Sequence, residues 1–141
     1  MKFFLLLCLA FTPPSTWAET LILHSGQHRI QAEIANTPQS REHGLMQRSR
    51  LCADCGMLFI FPKAGRVSFW MKNTPLPLSI AFIAANGTIL NIEEMQPDTA
   101  DIHSAQGEAL FALEMNSGWF AKNRVRQGEV IQGLGQAPDG R

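Results

Sequence analysis

The chain lacks any apolar stretch long enough to cross a bilayer as a helix. The run Phe3 to Phe11 covers nine residues (3 to 11), whereas a span takes about 20. It also lacks an excess of either charge, with 12 Lys and Arg against 12 Asp and Glu. Binding to nucleic acid or to an anionic membrane surface depends on clustered cations, so neither is an expected partner. Catalytic motifs are missing too: there is no Gly-x-Ser-x-Gly elbow, no glycine-rich phosphate loop and no His-Glu-x-x-His. An enzyme assignment is therefore unsupported. No internal repeat and no low-complexity segment occurs. Cysteine is scarce, with three in 141 residues.

What is present begins with an export signal. Met1-Lys2 is a short positive end, the apolar run follows, and a polar, proline-containing stretch ends in Thr16-Trp17-Ala18. A small-x-small ending suits signal peptidase, so residues 1–18 are expected to be removed and the mature chain to start at Glu19. Leu5-Leu6-Leu7-Cys8 could pass for a lipid-attachment box, but too little apolar sequence precedes Cys8. The expected location is periplasmic or secreted. The remaining 123 residues (141 − 18) suit one domain. Residues 19–134 read as a single β-rich domain and 135–141 as a frayed tail.

Strand signals dominate that domain. Thr20 to His24 and His28 to Ile34 flank the turn residues Ser25-Gly26, and the second alternates, with Ile30, Ala32 and Ile34 on one face. Thr37-Pro38 starts a short helix, near residues 38–46, because Thr can cap and Pro at the first position loses no needed donor. Further strands are expected at Met57–Phe61, Val67–Lys72, Leu78–Ala84, Thr88–Glu94, Ala109–Met115 and Glu129–Leu134. Asn86-Gly87 suggests a type I′ hairpin, and the polar stretch Gln96–Gly107 reads as a loop. Many short strands with one short helix predict a mainly β fold, an antiparallel β-sandwich or barrel.

Three strings carry a family resemblance: Gly44-Leu45-Met46, then Gly56 to Phe61, then Phe69-Trp70-Met71-Lys72-Asn73-Thr74 followed by Pro77-Leu78. With the closing segments Ala112–Met115, Gly118 and Arg126–Glu129, the chain from about 32 to 131 resembles the domain of unknown function 192 family, also listed as uncharacterised protein family 0127. The resemblance implies a jelly-roll-like β-sandwich and frequent export; it implies no activity. Two departures stand out. Members usually read Pro-Leu-Asp-Ile where this chain has Pro77-Leu78-Ser79-Ile80, so a carboxylate mechanism centred there is in doubt. Cys52-Ala53-Asp54-Cys55 is the second, since members usually have no cysteine pair.

The chemistry of that pair can be read directly. Cys8 leaves with the signal, and in an oxidising compartment Cys52 and Cys55 are expected to form a disulfide. A thioredoxin-like pair needs a helix N-terminus to stabilise thiolate, whereas Gly56 and an apolar β-like run follow here. A structural disulfide is the plainer reading; an envelope thiol–disulfide protein is one alternative function, and an enzyme whose site carries no recognisable motif is the other.

Trp70, Lys72, Asn73 and Thr74 form the candidate ligand site. Alternation places Trp70, Lys72 and Thr74 on one face, opposite Phe69, Met71 and Asn73. Lys72 and Asn73 would bind an anionic or amide group over an aromatic wall, with Trp70 a buried aromatic. The same residues could instead make a simple turn at Asn73-Thr74-Pro75. His24 and His28 could face each other across their turn, but His24, His28, His43 and His103 read as surface histidines. The methionines Met46, Met57, Met71, Met95 and Met115 read as core fillers. No metal and no cofactor is expected. The function expected is a non-catalytic accessory or ligand-binding module of the cell envelope, its partner a small molecule or an envelope protein.

Overall fold

The computed structural model describes residues 19–141, so the expected signal segment lies outside the described residues. Strands β1 (Thr20–Ser25) and β2 (His28–Ala35) pair antiparallel around the two-residue loop Gly26-Gln27, and the positive φ of that loop, 57°, falls on Gly26. This register sets His24 opposite Arg29 and His28 opposite Ser25. The two histidines therefore do not face each other.

Helix α1 (Pro38–His43) begins where Thr37-Pro38 predicts it. Thr37 Oγ1 accepts from the Ser40 N–H at 3.1 Å while Ser40 Oγ accepts from the Thr37 N–H at 2.9 Å, satisfying two N-terminal donors reciprocally. It stops at His43 rather than Met46. Gly44 takes a positive φ of 47°, and a Cβ there would press on the Phe59 ring at 3.2 Å.

Strands β3 (Cys55–Gly65), β4 (Ser68–Phe69), β5 (Leu78–Ile83), β6 (Ile89–Met95), β7 (His103–Ser104) and β8 (Ala109–Asn116) follow, with a single-turn helix α2 (Trp119–Lys122) after them. The main sheet has the order β1-β2-β3-β8-β5-β6, and β4 and β7 form a separate ribbon. The mainly β expectation holds. The sheet is mixed, however, because β2 and β3 run parallel. A parallel pair needs a crossover, and residues 36–54, carrying α1, supply it. No strand–helix alternation repeats along the chain, so this one crossover left no pattern to read.

Local geometry departs from expectation in five places. The hairpin between β5 and β6 is not type I′. Only Gly87 has positive φ, at 91°, and its N–H bonds to the Ala84 carbonyl at 2.9 Å, the turn-plus-bulge alternative for a three-residue loop. The strand expected at Val67–Lys72 shrinks to Ser68–Phe69. Gln96–Gly107 contains β7, which is too short to show alternation. Glu129–Leu134 makes isolated bridges, Val130 to Thr88 and Gln132 to His24, tying the β5–β6 hairpin to the edge strand β1. The tail is not frayed: the Arg141 N–H bonds to Asn36 O at 2.8 Å and Asn36 Nδ2 to Asp139 O at 3.0 Å. On the tail's side those bonds are made by backbone groups, which residue polarity does not report.

Both faces of the sheet are covered, so β5 is buried at every residue. Leu58, Ile60, Ala81, Ile83, Leu113 and Met115 pack on one face with Trp119 and Phe120 of α2. Met57, Phe59, Ile80, Phe82 and Ala112 pack on the other with Leu45, Met71 and Leu76. This second face, beneath α1 and the β4 ribbon, holds the candidate site.

Candidate functional site

The Phe69–Thr74 string leaves its strand after Phe69 and turns. Met71 is buried and its N–H bonds to Thr99 O at 3.1 Å. Asn73 takes a left-handed φ of 54°, its carbonyl accepts from the Gln47 N–H at 2.8 Å, and the Thr74 N–H closes on Met71 O at 3.2 Å. The buried Thr74 donates its hydroxyl to Lys72 O at 3.1 Å. Strict alternation therefore ends at Trp70, and Thr74 turns inward with Met71.

Trp70 is the correction that matters most here. It is 48% exposed rather than a core aromatic, and Lys72 Nζ sits 5.3 Å from its ring centroid. Trp70 separates two hollows. Lys72 and Asn73 border the outer one with Gln39, Glu42, His43 and Met46. Trp70 and Thr74 border the inner one, a cavity of about 240 Å³ between α1 and the sheet. The four candidate ligand residues thus divide between two hollows that share Trp70.

The inner cavity contains a residue that the motif did not nominate. Glu114 lies on the central strand β8, between Met57 of β3 and Ile80 of β5. It is 4% exposed, and it lines the cavity with Phe59, Phe61, Phe69 and Trp70. No ion pair among the described residues involves its carboxyl, and no hydrogen bond or charge of a neighbour offsets its burial. Burial alone pushes its pKa up to about 8, because the charged form loses its hydration. The backbone here is tightly matched: a Cβ at Gly56 would overlap the Glu114 carbonyl oxygen. The one available sequence signal was a charge inside the apolar run Ala109–Met115.

The one Arg or Lys of the lining is engaged elsewhere. Arg41 Nη1 donates to Ile60 O at 2.9 Å and Nη2 to Arg141 O at 2.7 Å, with its guanidinium 5.3 Å from the Phe61 centroid. Phe69 stacks edge-on against Phe59 with centroids 4.8 Å apart. The rings are thus held by one another as well as by the sheet.

Three other sequence features have defined places. Cys52 and Cys55 Sγ lie at disulfide-bonding distance with Cα atoms 5.1 Å apart. They sit in a turn that opens β3 rather than at a helix N-terminus. His103 Nδ1 lies 2.9 Å from Glu93 Oε1, and its Nε2 is buried with no partner among the described residues. Ser79, where members of the family usually carry Asp, donates its hydroxyl to Glu94 and accepts from the Gly118 N–H at 2.8 Å. Among the described residues no three His, Cys, Asp or Glu side chains are grouped to hold a metal ion, and no helix is long and apolar enough to cross a membrane.

Solved structures share this fold, among them the following two. A protein of Sinorhizobium meliloti 1021, provisionally described as a transcription regulator, is 37% identical with a TM-score of 0.77, over 82% of this chain and 93% of its own. A protein of unknown function from Novosphingobium aromaticivorans DSM 12444 is 29% identical with a TM-score of 0.79, over 85% of this chain and 89% of its own. No curated protein matches the chain. The model of the DUF192 family, described as uncharacterized ACR, COG1430, matches residues 20–133, and the chain belongs to that family.

Proposed function

We propose that this chain is an exported, non-catalytic module that binds a small ligand in the cavity between α1 and the sheet. The observation that carries this reading is Glu114, a carboxyl without a partner among the described residues at a cavity walled by aromatic rings. Burying an unpaired polar group costs stability, and buried polar groups are normally satisfied. A sheet has no need of one at this position, since Met57 and Ile80 on either side are apolar. A few convergent polar groups in an apolar concavity are the usual form of a small-molecule site.

Export rests on the order of segments in residues 1–18 and accords with a cysteine pair suited to an oxidising compartment. The relative's provisional role in transcription is not carried over, because the balanced charge of this chain supplies no cationic surface excess for DNA.

The test is a thermal-shift panel of small amines, acids, alcohols and amides on the wild type and on Glu114→Gln. At least one class should raise the wild-type melting temperature and lose that effect in the variant. Equal shifts in both proteins, or none in either, would count against the site.

A further inference from the structure

We infer that the cavity takes a primary ammonium group on a short apolar chain, with Glu114 as its counter-ion and Phe59, Phe61, Phe69 and Trp70 as its walls. This rests on the reading of the cavity as the ligand site and names the ligand's chemistry.

A buried carboxyl can be completed by a neutral partner or by a cation. Three observations favour the cation. Glu114 has no donor among the described residues, so up to three N–H donors of an ammonium group meet unused acceptors. The remaining lining is rich in aromatic faces, which attract cations and accept alkyl chains equally well. The one Arg or Lys that lines the cavity, Arg41, spends both terminal nitrogens on main-chain oxygens of Ile60 and Arg141 and offers none to Glu114.

The other charged or titratable groups of the lining are Glu42 and His43 of α1. Glu42 adds negative potential for an arriving cation. Met57 and Phe59 from β3, Ile80 from β5 and Thr74 from the turn bring no charge. Glu93, in register with Ile80 on the same sheet face, is engaged by His103. Desolvation keeps Glu114 protonated at neutral pH, so an ammonium that seats beside it displaces that proton to solvent. Amine binding and proton release are therefore coupled.

The probes are n-pentylammonium, 1-pentanol and pentanoate, matched in length and differing in head group. Each is titrated at pH 7 into the wild-type chain and into Glu114→Gln, with amide shifts of Phe69, Trp70 and Thr74 as the readout. Glu114→Gln keeps the side chain's size and buries no charge, and its melt confirms folding. The expected result is a preference of at least tenfold for n-pentylammonium over 1-pentanol in the wild type. That preference disappears in the variant. Calorimetry in two buffers of different ionisation enthalpy should show proton release on ammonium binding to the wild type alone. If 1-pentanol or pentanoate binds as tightly, or the ammonium preference survives in Glu114→Gln, the ammonium inference fails while the cavity stands as a ligand site. If none of the probes moves these amides, the cavity reading fails with it.

Discussion

Ser79 and Glu94 share a hydrogen bond that reaches both carboxylate oxygens, at 2.7 and 2.6 Å from the serine hydroxyl. Ser79 is fully buried, and the same hydroxyl accepts from the Gly118 N–H, tying β5 and β6 to the start of α2. Ser79→Ala leaves that N–H without its acceptor and should cost about 1–3 kcal/mol. Ser79→Asp restores the residue usual in the family but sets two carboxylates at hydrogen-bond distance. One of them must then hold a proton. The variant should be less stable than the wild type at pH 7 and recover at pH 4, and adding Glu94→Gln should rescue it at pH 7. Urea melts across pH decide this; a Ser79→Asp variant as stable as the wild type at pH 7 would show that the pair tolerates both charges.

Glu114 gives the fold a pH dependence of definite sign. Its carboxyl rises from 4.5 to about 8 on folding. Below pH 4.5 both states hold the proton and no penalty exists. Between pH 4.5 and 8 the unfolded chain has lost the proton and the folded chain has kept it, so this group makes stability fall as pH rises. Above 8 the penalty is complete, on the order of 5 kcal/mol at most. Glu114→Gln should match the wild type near pH 4 and exceed it at pH 9. A difference between the two that stays flat across that range would mean that the carboxyl is hydrated or paired in solution.

The Cys52–Cys55 turn has other anchors. Asn116 Nδ2 donates to Leu51 O and Cys52 O at 3.2 and 3.0 Å, and Trp119 Nε1 donates to Asp54 Oδ1 at 3.0 Å. A four-residue loop restrains little of the unfolded chain, so removing both cysteines as serines should cost about 2 kcal/mol or less. Thermal melts of the oxidised wild type and the double variant provide the comparison. Loss of the fold would show that the bond is needed to form β3.

Trp70 and Phe59 should separate stability from binding. Phe59 is 1% exposed, and Phe59→Ala should cost about 3–5 kcal/mol. Half-exposed Trp70 leaves no comparable void, so Trp70→Ala should cost no more than about 1 kcal/mol and still weaken ligand binding. Lys72→Ala should cost less again, because its cation–π contact at the surface contributes about 0.5–1 kcal/mol. The two surface substitutions should be non-additive. If Trp70→Ala melts as low as Phe59→Ala, the ring is core in solution.

Much of the fold was legible locally. Thr37-Pro38, the alternation of β2 and the turn glycines Gly26 and Gly87 each act over a few residues, and each marks a real feature. What escaped was non-local. The parallel pairing of β2 with β3 depends on a crossover that leaves no periodic trace, and the tail is held through its backbone. The site was half legible. The Trp70–Thr74 string borders the two hollows described above, but a turn at Asn73 broke the alternation that would have assigned its faces. Glu114 was visible only as a charge in an apolar run, and its isolation follows from Met57 and Ile80, distant in sequence, closing in on either side.

Crystals of the chain soaked in a library of small fragments test the central claim most directly, because the fragments choose their own site. The expected result is that fragments collect between α1 and the sheet, touching Trp70 and the carboxyl of Glu114, with amine-bearing ones nearest that carboxyl. Fragments that leave this cavity empty and gather elsewhere, for instance in the hollow bordered by Arg48 and Cys52, would contradict it.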